Sequence, residues 1–172
     1  MKTARYFILP CLALLLFINA CETEKSSVDL QSGKLSKISG CGKLKSSLIE
    51  EDTADSLSCI EYSYDAENKK LLLKHINAGF NCCPEKIYGD VGFVDDSVII
   101  QESEKDGLCD CNCLYNLEFE LTGISKKAYV VCLIEPYAGD QEEIAIRIDL
   151  TENTQGSYCV VRKGYPWGLN NQ

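Results

Sequence analysis

The sequence has little of what most enzyme sites are built from. It carries one histidine, one tryptophan and one methionine in 172 residues. A single histidine, His75, offers no second imidazole for a shared metal, and its place on an expected strand beside Leu73 and Lys74 points to a structural role. No serine sits in a Gly-x-Ser-x-Gly elbow. No nucleophile–base pair or paired-carboxylate pattern stands out either, so the chain is expected to be non-enzymatic. Positive charge is also scarce, with 17 Lys and Arg against 26 Asp and Glu and a net charge of −9. Such a surface repels phosphate backbones, so no nucleic-acid partner is expected. Sustained helical periodicity is missing, apart from a short turn expected over residues 44–51. The leading apolar run, residues 7–18, falls short of the roughly 20 residues that a membrane-spanning helix needs.

What that run does fit is the apolar region of a secretory signal peptide, preceded by Lys2 and Arg5. It ends in Ile18-Asn19-Ala20-Cys21, which resembles a bacterial lipobox. The cysteine is required there because its sulfur accepts the diacylglyceryl thioether. Residues 1–20 are therefore expected to be a lipoprotein signal peptide, with Cys21 the lipidation site and the membrane a partner through the lipid. More than one acyl chain holds a protein stably without a transmembrane helix. Residues 21–39, polar and rich in Ser, Lys and Glu, read as the lipidated cysteine and a flexible stalk. Glu22, Glu24 and Lys25 directly behind the anchor resemble surface-export signals of Bacteroidota lipoproteins. The expected location is the cell envelope, anchored to the outer membrane and facing the periplasm or the outside. Loss of Lys2 and Arg5 leaves a mature net charge of −11.

Cysteine is what the chain has in excess. Beyond Cys21 there are nine: Cys41, Cys59, Cys82, Cys83, Cys109, Cys111, Cys113, Cys132 and Cys159. Outside the cytoplasm such residues pair as disulfides by default. An odd number leaves at least one thiol free or paired between chains. Spacing alone does not fix which cysteines pair.

From Leu57 onwards the hydrophobic period is two. Ile60, Tyr62 and Tyr64 alternate with polar residues, and Ala66-Glu67-Asn68-Lys69 turns the chain into Leu71 and Leu73. Ile87, Val91 and Phe93 mark the next strand, and Asp95-Asp96 turns into Val98-Ile99-Ile100. Tyr115, Leu117, Phe119 and Leu121 form the cleanest half-buried pattern. Further strands are expected at residues 129–135, 144–150 and 157–163. This predicts an all-β fold, an immunoglobulin-like β-sandwich of about 7–8 antiparallel strands over residues 40–168, with residues 169–172 a tail. Leu121-Thr122-Gly123-Ile124, leading into Tyr129-Val130-Val131, resembles a tyrosine corner, in which a strand-starting tyrosine bonds back to upstream backbone.

Two segments carry the densest information: Asn77-Ala78-Gly79-Phe80-Asn81-Cys82-Cys83-Pro84 and Cys109-Asp110-Cys111-Asn112-Cys113-Leu114-Tyr115. Pro84 favours an extended Cys83. In extended chain Cys82 and Cys83 point to opposite sides, whereas Cys109, Cys111 and Cys113 share one face. The column of three can meet a partner strand carrying one of Cys82 or Cys83, and one or two bridges are expected between the motifs. The pair of motifs, followed by the Tyr-x-Leu-x-Phe strand and the Thr-Gly turn, resembles a group of Bacteroidota cell-envelope lipoproteins over about residues 57–136. The resemblance implies a sandwich fold and an envelope location, and no activity.

Two alternatives to a plain disulfide framework stand beside it. The cysteines of the two motifs could handle thiols or hold zinc or copper(I), although Cys-x-Cys is not the usual spacing of structural zinc. Tyr165 and Trp167, in Tyr165-Pro166-Trp167-Gly168, could form a platform for a glycan or protein ligand. The reading that leads is a lipid-anchored protein presenting a cysteine-rich sandwich for binding or assembly, with no cofactor and an unidentified protein or glycan partner.

Overall fold

The computed structural model describes residues 30–41, 53–105, 109 and 111–163. They form nine strands and no helix: β1 (Ser32–Gly40), β2 (Leu57–Asp65), β3 (Lys70–Asn81), β4 (Lys86–Val94), β5 (Ser97–Lys105), β6 (Asn112–Thr122), β7 (Ala128–Ile134), β8 (Ile144–Asp149) and β9 (Gln155–Val161). One sheet runs β1-β6-β3-β2-β9 and the other β4-β5-β7-β8. The chain is thus a disulfide-stapled all-β sandwich. The turns are where the sequence places them. Asp65 accepts the backbone N–H groups of Glu67 and Asn68, which tightens the β2–β3 turn. Lys69 and Asp95 supply the left-handed residues of the two hairpins at φ 49° and 51°.

The alternation read from the sequence becomes the core. Leu71, Leu73, Leu117, Phe119 and Leu121 of one sheet meet Val98, Ile100, Tyr129, Val131 and Leu133 of the other, all buried. The corner at Tyr129 forms as expected. Its buried hydroxyl accepts the backbone N–H of Ser125 at 3.1 Å, four residues upstream. Tyr64 adds a second link, its hydroxyl donating to the Ile124 carbonyl at 2.8 Å.

Three features depart from expectation. Residues 32–39, assigned to the stalk, belong instead with Gly40 to β1, paired antiparallel with β6 from Ser32↔Thr122 to Gly40↔Tyr115. The domain therefore starts by Ser32, and this strand makes the ninth. Its pattern hid it, because Leu35 and Ile38 are its only large apolar residues and a bulge between Leu35 and Lys37 breaks the phase. Second, β5 and β7 pair in parallel. The single strand between them, β6, crosses to the other sheet and runs back, so β7 re-enters in the direction of β5. Third, β3 carries a bulge between His75 and Ala78, with Asn77 at φ 63°. The bulge shifts the inward phase, so that Phe80 rather than Gly79 faces the core. The helical turn expected at residues 44–51 lies outside the described residues.

Candidate functional site at the bridged end

Both sheets bring their cysteines and their buried charges to one end of the sandwich. There β1, β3, β5, β7 and β9 finish and β2, β4, β6 and β8 begin. Cys41–Cys113 ties the end of β1 to the start of β6, while Cys82–Cys111 and Cys83–Cys109 tie the residues after β3 to the segment entering β6. The fourth bridge, Cys59–Cys159, joins directly opposed residues of β2 and β9. Cys132, on β7, is the free thiol among the described residues. Cys21, Tyr165 and Trp167 lie outside the described residues.

The double bridge follows from Asn81. β3 stops there, and the Asn81 side-chain carbonyl accepts the Cys83 N–H at 2.9 Å, an Asx turn that bends the chain. Its amide donates to the Cys109 carbonyl at 2.7 Å, and its backbone N–H donates to the Glu104 carboxylate at 3.0 Å. Cys82 N–H donates to the Cys111 carbonyl at 2.9 Å. Because of the bend both Cys82 and Cys83 reach the cysteine column, where an extended chain would have offered one. The third member of the column, Cys113, turns to Cys41 instead. The sulfurs of Cys82, Cys109 and Cys111 gather within 4.8 Å of one another, and Cys111 is exposed.

Beneath the bridges lies a polar network that spans the two sheets. Ser58 Oγ is 2.8 Å from His75 Nε2, and His75 Nδ1 is 2.8 Å from Glu102 Oε1. Glu135 Oε1 stands 3.6 Å from the same Nε2, and Arg162 pairs with the other oxygen of Glu135. Arg162 also donates to the Glu142 carbonyl at 2.6 Å. Nearby, Tyr137 donates to Glu104 at 2.5 Å and Tyr115 to the Asn81 carbonyl at 3.1 Å. Burial raises the Tyr115 pKa, with Glu104 adding to it.

Ser58, His75 and Glu102 have the connectivity of a nucleophile, a base and its orienting carboxylate. All three are buried, Ser58 and His75 completely, so the hydroxyl is shielded from solvent. The arrangement instead stores charge. Burial is the largest influence on His75 and opposes its protonation, but the charge and hydrogen bond of Glu102 and the charge of Glu135 together outweigh it, and the pKa rises. Burial also raises the Glu135 pKa, against the lowering pull of His75 and Arg162. With His75 protonated the two carboxylates face two cations. Glu102 Oε2, Glu135 Oε1 and Arg162 Nε remain without hydrogen-bond partners, and each such buried atom costs about 1–3 kcal/mol.

His75 lies on a strand as the sequence indicated, but its partners were not singled out. The available signal was charge at inward phase: Glu102 follows Val98 and Ile100, Glu135 follows Val131 and Leu133, and Arg162 follows Val160 on their alternating rows. A separate open groove of about 590 Å³ runs along the edge strands β1 and β4, lined by Lys34, Lys37, Lys86, Tyr88 and Asp90 among others. Its floor is tight, because a Cβ on Gly89 would fall 2.4 Å from the Phe119 ring.

Comparison with protein-family models, with curated proteins and with solved structures returned no match.

Proposed function

We propose that the chain is a lipid-anchored cell-envelope protein, attached through Cys21 to the outer membrane, that presents its bridged sandwich for binding or assembly. The observation carrying this reading is the pairing of eight of the nine cysteines beyond Cys21 into four disulfides. Disulfides persist in oxidising compartments, and the leader with its lipobox-like Ile18-Asn19-Ala20-Cys21 supplies a route there. The resemblance to Bacteroidota envelope lipoproteins supports the same location. A binding role, rather than a catalytic one, accords with the closure of the Ser58–His75–Glu102 series and with the open groove between β1 and β4.

The test is metabolic labelling with an alkynyl fatty acid. The intact chain takes up label and fractionates with membranes, whereas Cys21→Ser loses the label and is released or left unprocessed. An unlabelled intact chain, or a labelled Cys21→Ser chain, sinks the anchor. Protease treatment of whole cells then separates a surface-facing domain from a periplasmic one. Cross-linking from the envelope, with and without Lys34→Glu/Lys86→Glu in the groove, would identify the partner.

A further inference from the structure

We propose that Cys82, Cys83, Cys109 and Cys111 form a reducible site which, once its two disulfides are opened, binds one soft d¹⁰ cation, zinc or copper(I), through thiolates. The inference stands on the cysteine geometry and is independent of the lipid anchor.

Three sulfurs from two separate disulfides already lie within 4.8 Å of one another. Around a cation with metal–sulfur bonds of about 2.3 Å, thiolates stand about 4 Å apart, so closing the site asks for small side-chain movements. The fourth sulfur, Cys83, is the present partner of Cys109 and is released beside it. The two cysteine pairs are also tied by hydrogen bonds: Asn81 donates to the Cys109 carbonyl and accepts from Cys83 N–H, and Cys82 N–H donates to the Cys111 carbonyl. Cys59–Cys159, which joins a buried Cys59 to an exposed Cys159, and Cys41–Cys113 tie the strands of the same sheet independently of this cluster. The exposed Cys111 gives a reductant its point of entry. Soft thiolate sets select copper(I) and zinc over harder cations.

The chemistry balances as follows. Each disulfide accepts two electrons and two protons and becomes two thiols. A dithiol reductant is oxidised to its own disulfide in exchange. The cation then displaces one proton from each thiol that it ligates. In the reverse exchange a small-molecule disulfide accepts two electrons and two protons per cysteine pair and becomes two thiols, the cysteine sulfurs re-pair and the cation leaves, which makes uptake and release redox-controlled.

The experiment uses the full-length chain, reduced under argon with a trialkylphosphine, which leaves as its oxide. Alkylation and peptide mapping first identify the opened bridges. The chain is then titrated with zinc, with copper(I), and with cobalt(II) as a spectroscopic stand-in for zinc. The expected result is one ion per chain, a sulfur-to-metal charge-transfer band, no uptake by the oxidised chain, and loss of uptake in Cys109→Ser/Cys111→Ser. Zinc and copper(I) arms show which cation is held. Three outcomes overturn the proposal: no uptake by the reduced chain, equal uptake by the double variant, or collapse of the β-sheet circular dichroism when the two bridges open.

Discussion

The two ends of this sandwich solve the same problem by different means. At the corner end, Tyr64, Ile124, Tyr129 and Leu150 close the two sheets with apolar bodies and hydroxyl-to-backbone bonds, and no disulfide is used. At the bridged end, three disulfides overlie Ser58, His75, Glu102, Glu135 and Arg162, a network of ionisable groups with three unsatisfied atoms. A buried ion network is weak support for stability, because desolvation offsets most of the attraction. Covalent staples are placed where the packing is polar and withheld where it is apolar. That contrast teaches that the cysteines of this chain compensate for a particular end of the core rather than for the size of the domain, which is ordinary.

The contrast breaks most visibly at Glu135. Glu135→Ala leaves the Arg162 guanidinium buried beside His75 with its carboxylate removed. Cutting one partner from a buried pair costs about 3–5 kcal/mol, and urea denaturation of the oxidised chain should show that loss. A change below about 1 kcal/mol would mean that the network is solvated and that the two ends do not differ as described. Next comes the Cys83→Ser/Cys109→Ser variant. Alone, a bridge with a sequence separation of 26 would contribute about 3–4 kcal/mol in the chain-entropy model, but Cys82–Cys111 already closes the same loop, so the loss should be well below that. Hydrogen bonds from Asn81 survive the change, so the fold should persist and the midpoint alone should fall. An unfolded variant would show that the staple, and not the Asx turn, shapes this end.

The pH profile sharpens the comparison by sign. His75 has a raised pKa in the fold, so the native state keeps a proton that the unfolded chain gives up near 6.5. Its contribution is complete below that value and is lost as pH rises through the folded one. Glu135 shifts in the same direction from 4.5, and so also favours the fold on the acid side. Exposed Asp65 and half-buried Glu120 and Asp149 are held low by their hydrogen bonds, so they lose stabilisation only as pH falls below their ordinary range. The bridged end should therefore make the domain more stable at about pH 5.5 than at about pH 8. His75→Gln should flatten that slope above pH 6.5, a readout that a uniform loss of stability does not imitate. A slope of opposite sign would show His75 to be neutral in the fold.

The corner end was the more legible of the two. Its residues obey the period of two, and the Thr-Gly turn before Tyr129 announces the hydroxyl bond to Ser125. At the bridged end local patterns were overridden twice. The bulge at Asn77 reset the phase of β3, and the Asx turn at Asn81 swung Cys82 and Cys83 to one side. Both are local departures from alternation whose stabilising partners lie far along the chain, Asn116 for Asn77 and Cys109 for Asn81. The bulge after Leu35, nearer the other end, disguised β1 as stalk. One or two bridges between the motifs were expected; the companions Cys41 and Cys113, and Cys59 and Cys159, depend on the pairing of β1 with β6 and of β2 with β9.

The smallest effect belongs to the corner itself. Tyr129→Phe keeps the ring in the core and removes only the hydroxyl that accepts from Ser125 and Gln31. A single neutral hydrogen bond contributes about 0.5–1.5 kcal/mol net, and the freed Ser125 N–H sits near a surface turn where water replaces the partner. Thermal unfolding should shift by only a few degrees at most, less than for either substitution at the bridged end. Tyr64→Phe strips the donor to the Ile124 carbonyl on the same loop, so the two changes share a backbone segment and should not add. If the double variant lost more than the Glu135→Ala chain, the corner rather than the stapled network would be the stronger clasp, and the disulfides would then need a reason other than the polarity of the core beneath them.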